Sequence, residues 1–356
     1  MADAFTPEQI QYLQDHADDT LVPSIHIANG ICVAAATISV ILRYLARRSL
    51  GTSLGRDDYC LFIAYVLYVA FAASLGTATR YGEGRHVNLV TDFRTYAIVN
   101  LLQASFYVFG MAFVKCSILF LYHRIFPGKT FRNVLLVAGA IVFSWAMAAF
   151  FPSIMSCYPV EKAWDSSIPG RCIDYGIVTL VIGILNVIMD FAMLSLPMPL
   201  LWKLRMSTRR KAYLSGIFAV GCIACVVSIA RLFYAKEASM SSSRVLTSSG
   251  QETSIYDPSW QAVWPGILSG LEVCTGIVAC CAITYRPLIE RVFGSSTSKN
   301  SPSASSDAGS GWKRIHVQHD VIVREDPGAN TPQPSSDPCA SQEWELRPVR
   351  FETRLN

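Results

Sequence analysis

Two acids stand in the middle of long apolar runs. Asp190 lies within residues 176–202 and Glu272 within residues 260–285. Ionisable groups in such runs are costly in lipid and usually face a bundle interior. Asn186, one helical turn before Asp190, shares its face. Lys115, in the run KCSILFLYHRIF, is a third ionisable group of this kind. Together these four residues could form a polar ligand site or a proton-linked switch. Two nearby carboxylates resist joint ionisation, so one of them is expected to hold a proton. The plainer use is hydrogen bonding between helices, about 1 kcal/mol per contact. Lys115 lies roughly 10 Å from the end of its run. It is expected to snorkel to the interface in preference to pairing with an acid. Arg231, near the end of another run, is expected to do the same.

The elements that must position these residues are membrane spans. The chain is 52% hydrophobic and 16% charged, against about a quarter charged in soluble domains. Its charges are sparse in seven stretches, none of which holds more than one: residues 25–45, 59–79, 95–122, 134–155, 176–202, 212–234 and 260–285. Each is long enough to cross roughly 30 Å of hydrocarbon at about 1.5 Å per residue. The expected fold is an all-α membrane protein, a seven-transmembrane-helix bundle. Spans five and seven then run in the same direction, which puts Asp190 and Glu272 at a shared depth of roughly 18–20 Å. Pro197 and Pro199 mark the end of span five, with a hinge as the alternative. The segment 235–259 reads as a Ser-rich loop.

Lys and Arg, with Arg43 and Arg47 counted among the loop charges, divide fifteen to seven between the two sets of loops. The positive-inside rule then puts the N-terminus outside and the C-terminus in the cytoplasm, with the plasma membrane as the expected location. Residues 1–24 are expected to be a short acidic extracellular head, 25–290 the helical domain, and 291–356 a disordered Ser/Pro-rich cytoplasmic tail. Cys157 and Cys172 close an outer loop, with fourteen residues between them. An oxidising exterior favours a disulfide there, stabilising by about 3 kcal/mol in the chain-entropy model; the alternative is two free thiols at helix ends. Trp164 in that loop is either an interface anchor or a ligand contact.

Several chemistries find no support. A net charge of +4 is too small to imply nucleic acid. Most of the eleven cysteines sit in apolar runs as small hydrophobes, and no paired CxxC set suggests zinc. The six histidines avoid mid-membrane positions. No G-x-S-x-G, H-E-x-x-H or phosphate loop occurs, so an enzyme is the least favoured reading and no catalytic residue is assigned.

An ordered set of motifs carries a family resemblance. It comprises Arg56-Asp57-Asp58, Gly82-x-Gly84-x-His86, and the stretch from Lys115 to Phe126. It continues with Cys157-x-Pro159…Trp164…Cys172 and Asp190…Leu196-Pro197-x-Pro199…Trp202-x-Leu204. It closes with Glu272…Gly276-Ile277 and Arg286-Pro287-Leu288. Over residues 24–290 this resembles the fungal rhodopsin-like integral membrane proteins. That family includes the satratoxin-cluster type and the seven-helix part of fungal surface-sensing receptor-like proteins. Ile283 stands where the family often has Pro, Trp264 is further from the acid than usual, and the head has no cysteine-rich domain. The resemblance implies the architecture. It does not imply retinal, because span seven has no lysine for a Schiff base, and no cofactor is expected.

The favoured reading is a receptor-like sensor of a small ligand, signalling to a cytoplasmic partner through basic loops and tail. The alternative is an accessory or transport protein of a fungal secondary-metabolite pathway, with Asp190 and Glu272 in the path. The expected partners are the lipid bilayer, a small molecule and a signalling protein, with no nucleic acid.

Overall fold

Seven long apolar runs become seven helices. The computed structural model describes residue 16 and residues 18–49, 51–86, 90, 92–126, 128–164, 168–198, 208–240, 243–246, 252–255 and 257–285. Most of the expected acidic head and all of the expected tail lie outside the described residues. The helices are α1 (Val22–Ser49), α2 (Arg56–Ala78), α3 (Phe93–Ile125), α4 (Lys129–Ile154), α5 (Tyr175–Ser195), α6 (Thr208–Met240) and α7 (Val263–Ala282). All seven contain a stretch long and apolar enough to cross a bilayer.

Their surface is turned inside out relative to a soluble protein. Ile38, Leu136, Phe143, Ile188 and Phe233 are each more than half exposed. In water, contiguous surface of this kind would drive association; against lipid tails it sits in a matching solvent. The protein is an integral, multi-pass membrane protein. Backbone groups at the helix ends still need partners. Asp92 accepts from Thr95 N at the start of α3, and Asp174 from Ile177 N at the start of α5. Asp58 folds back onto Gly55 N at the start of α2.

α3 and α7 form the centre. About half of the apolar window of each is buried within the protein (44% and 50%), against 11% for α1. α7 packs on α6, α1, α3 and α2, and α3 packs on α2 and α4 as well. Small residues permit this closeness. A Cβ at Gly276 of α7 would stand 2.9 Å from Val114 Cγ1 of α3, and one at Gly183 of α5 would stand 2.9 Å from Leu232 Cδ1 of α6.

Two expected boundaries differ. The apolar run of span five reaches Trp202, yet α5 stops at Ser195. Pro197 has no N–H to give to Met193 O four residues back; the Tyr122 hydroxyl of α3 donates to that carbonyl instead, at 3.3 Å. Pro199 lies outside the described residues. The segment expected to be a loop after span six instead continues α6 to Met240 and then forms a hairpin. Its strands β3 (Ser243–Leu246) and β4 (Glu252–Ile255) pair antiparallel. Backbone ladders need no long apolar run, so hydrophobicity alone does not reveal them. Two other short strands, β1 (Cys157–Tyr158) and β2 (Arg171–Cys172), pair within the loop between α4 and α5, with Cys157 opposite Cys172. These two cysteines are bonded. The end of the bundle holding them is called the disulfide end below.

Candidate functional site

Four helices bring ionisable and polar side chains together at mid-depth. α3 contributes Tyr107 and Lys115, eight residues apart and so on one face. α5 contributes Asn186 and Asp190, α6 contributes Ser228 and Arg231, and α7 contributes Glu272. Lys115 Nζ donates to Asp190 Oδ1. Arg231 Nε stands 2.8 Å from Glu272 Oε2. Its N–H is not aimed at that oxygen, so the contact is an ion pair without an aligned hydrogen bond. The Tyr107 hydroxyl donates to the same Glu272 oxygen at 2.7 Å.

The two ion pairs are stitched together. Asn186 Nδ2 reaches Glu272 Oε1 at 2.6 Å and Asp190 Oδ2 at 3.3 Å. Ser228 Oγ stands 2.8 Å from Asp190 Oδ2 and within hydrogen-bond reach of Glu272 Oε1. A hydroxyl has one proton to give, so it serves one carboxylate at a time. Aromatic faces back both cations: Lys115 Nζ lies 5.9 Å from the Trp145 ring centre, and the Arg231 guanidinium 5.2 Å from that of Tyr107. Lys115 and Glu272 are 2% exposed, Asn186 and Ser228 fully buried.

All four candidate residues, Asp190, Glu272, Asn186 and Lys115, therefore meet in one network. Two expectations are corrected. Lys115 does not snorkel; Asp190 lies across the helix interface and offers a counter-charge in place of water. Arg231 does not snorkel either, because Glu272 does the same for it. The expected shared proton assumed two carboxylates without counter-charges. Here each acid faces a cation of its own, Lys115 for Asp190 and Arg231 for Glu272. Tyr107, Ser228 and Arg231 were not read as members. Ser228 and Arg231 are three residues apart on one face of α6, a spacing visible in the sequence.

A cavity of about 640 Å³ opens at the disulfide end, and Tyr107 and Arg231 lie in its wall. Glu83, Tyr96, Asn100 and Gln103 also line it. A chamber of about 90 Å³ on the far side is lined by Lys115, Asp190, Ser228 and Glu272. The charge network is thus a wall common to both. Glu83 was not anticipated. It sits between Gly82 (φ 118°) and Gly84 (φ 82°), and the left-handed backbone at both glycines turns its side chain inward. Gly84 N donates to Ser259 O, which ties this turn to the start of α7. His86 adds a second tie, 2.6 Å from Asp257 and stacked on Trp260. Glu83 is fully buried, with Tyr96 and Asn100 close by but not aligned for a hydrogen bond to either carboxylate oxygen. Burial pushes its carboxyl up to about 7, partly offset by the neighbouring Tyr96 and Asn100. Trp164 is half-buried beside the short turn Val160–Ala163.

A second ionic cluster lies at the opposite end. Arg43 and Arg47 of α1 each reach Asp57 Oδ2 at 2.6 Å, and Arg43 Nε reaches Asp58 Oδ1 at 2.7 Å. Arg43 Nη1 also donates to Cys280 O of α7, and Ser117 Oγ of α3 donates to Asp57 O. Arg43 and Arg47, which the sequence presents as loop charges, are 2% and 7% exposed, and the cluster joins four helices.

Comparison with known proteins gives this arrangement a family. The fungal rhodopsin domain matches residues 42–291, more than half of the chain. The chain belongs to the fungal rhodopsin domain family. A SAT4 family membrane protein of Emericella nidulans is 38% identical over 162 residues, 44% of this chain and 42% of that relative. A satratoxin biosynthesis cluster protein of Stachybotrys chartarum is 26% identical over 53% of this chain and 64% of its own length. The match to each therefore spans less than two thirds of the relative. A wortmanamides biosynthesis cluster protein of Talaromyces wortmannii is 25% identical over 84% of this chain and 80% of its own. No solved structure matches. The motifs that carry the resemblance fall on the structural clusters: Asp57-Asp58 in the α1–α2 ion pairs, Gly82-x-Gly84 around Glu83, and Lys115, Asp190 and Glu272 in the central network.

Proposed function

We propose that this fungal rhodopsin-like protein is a receptor-like small-ligand sensor without retinal, its disulfide end facing outward. The observation that carries the reading is the position of the network. Tyr107 and Arg231 line the cavity and also hold Glu272, so an occupant bears on α3, α6 and α7 together. Gln103 and ionised Glu83 present buried acceptor oxygens without an aligned hydrogen-bond partner. A fitting ligand therefore offers donors, and an ammonium group would match Glu83. A protein named as a receptor in Arthrobotrys oligospora, 24% identical over 55% of this chain, adds support.

The second reading is an accessory or transport role in a metabolite pathway. Relatives named for the polyenoic acids, satratoxin, wortmanamides, fugralins and phomoidride clusters favour it. One experiment separates the two. Ala104 lines the cavity and is half-buried, so Ala104→Trp fills the space without touching an ion pair. A gene-deleted strain would be complemented with wild type or this variant at matched levels. On the sensor reading the variant loses responses to added extracellular compounds while secreted and retained metabolites stay unchanged. A compound that accumulates inside the cells, with responses intact, would reject the sensor in favour of transport.

A further inference from the structure

At the end away from the disulfide, a groove of about 680 Å³ runs between α3 and α4 beside the start of α2. Its lining changes character along its length. The mouth carries Arg56, His123, Arg124 and Arg132, all exposed. The floor carries Cys116, Leu119, Phe120, Leu135, Leu136 and Gly139. From Arg124 to Cys116, and from Arg132 to Gly139, the groove descends roughly 10–12 Å along the helices. Asp57 is the acid in the lining, and its carboxylate already holds Arg43 and Arg47. The mouth is therefore net positive. α4 begins beside it without a side-chain cap, and the helix dipole adds to that potential.

A cationic mouth above an apolar trough in the lipid-facing belt is the layout of a phospholipid. Leu136, on the floor, is 65% exposed and Phe120 39%. A water-soluble partner cannot follow the floor to that depth. A free anion would use the mouth and leave the trough empty. We infer that this groove binds one glycerophospholipid with an anionic, phosphate-bearing headgroup. The phosphate sits among Arg56, Arg124 and Arg132, and an acyl chain lies along Leu119, Leu136 and Gly139. Arg124 spans the two systems, since its Nη1 stands 3.5 Å from Asp57 Oδ1. A headgroup that draws on Arg124 would thus act on the α1–α2 ion pairs.

The test uses the full chain in nanodiscs of phosphatidylcholine alone or with phosphatidic acid as a minor component. Native mass spectrometry counts retained lipid, and a thermal midpoint reports stabilisation. Arg56→Gln and Arg132→Gln remove charges that carry no ion pair among the described residues, so the fold is expected to survive. Each is expected to weaken phosphatidic acid retention roughly fivefold. Arg48→Gln removes an exposed charge at the same end but outside the groove, and is expected to leave retention unchanged. Gly139→Leu fills the trough near Leu119 Cδ1 and should expel the lipid without altering the mouth. Three results overturn the inference: equal retention of the two lipids, equal losses with Arg48→Gln, or the same midpoint rise from inorganic phosphate in pure phosphatidylcholine discs, unaltered by Gly139→Leu.

Discussion

Lys115 and Arg231 give counter-charges to half-buried Asp190 and buried Glu272, and this sets how each should respond to substitution. Removing one partner of a buried pair leaves an uncompensated charge, at about 3–5 kcal/mol. Lys115→Met is expected to lose about that much, and Lys115→Met with Asp190→Asn to recover most of it, read as thermal midpoints in detergent. A double variant no more stable than Lys115→Met would show that Asp190 does not depend on this lysine. The same logic warns against Asp190→Asn with Glu272→Gln as a functional probe, since it strands two cations. Glu83 makes a pH prediction. Its carboxyl is raised from 4.5 to about 7. The folded state holds this proton more tightly than the unfolded chain, so the stabilisation is complete below about 4.5. It is lost as pH rises through about 7, at most about 3 kcal/mol. The midpoint of the wild type should fall across that window, and that of Glu83→Gln should fall less. Equal slopes for the two would refute this.

At the scale of elements, α1, α2, α3 and α7 are locked at one end by Arg43, Arg47, Asp57 and Asp58, and α4 and α5 at the other by the disulfide. Asp57→Asn removes the carboxylate shared by two buried arginines. It should cost about 3–5 kcal/mol and loosen α7, where Arg43 covers Cys280. Maleimide labelling of Cys280, fully buried in the wild type, should rise in that variant and vanish with Cys280→Ala. Unchanged labelling would mean that α1 and α2 hold α7 by apolar packing alone. Cys157→Ser should lower stability by about 3 kcal/mol in the chain-entropy model. If reductant shifts the wild-type midpoint no further than that of Cys157→Ser, the bond is not formed in the membrane.

For the whole molecule, the network joins a cavity open at the disulfide end to α3 and α7, which also meet the ionic cluster of Arg43, Arg47, Asp57 and Asp58. A change at Glu272 has a contiguous route through α7 to Cys280 and Arg43. The proposed orientation predicts that an epitope on the C-terminus is reached by antibody only after permeabilisation. Staining of intact cells would reverse it and put the cavity on the cytoplasmic side.

Span number was legible in the sequence because bilayer thickness is a one-dimensional constraint, and a count of consecutive apolar residues answers it. The shared depth of Asp190 and Glu272 followed from the same arithmetic. The closure of the Cys157–Cys172 loop needed only chain length and loop position. The partners of Lys115 and Arg231 were not legible: depth along a helix says nothing about rotation around it, and pairing with Asp190 or Glu272 requires both. Arg43 and Arg47 read as loop charges because Asp57 and Asp58 lie on another helix, brought opposite only by the turn at residues 51–55. Glu83 became a buried acid through two left-handed glycines and a hydrogen bond to Ser259, far away in the chain. Tertiary structure decided these because counter-charge, burial and cavity shape arise between helices, where the sequence holds no distance.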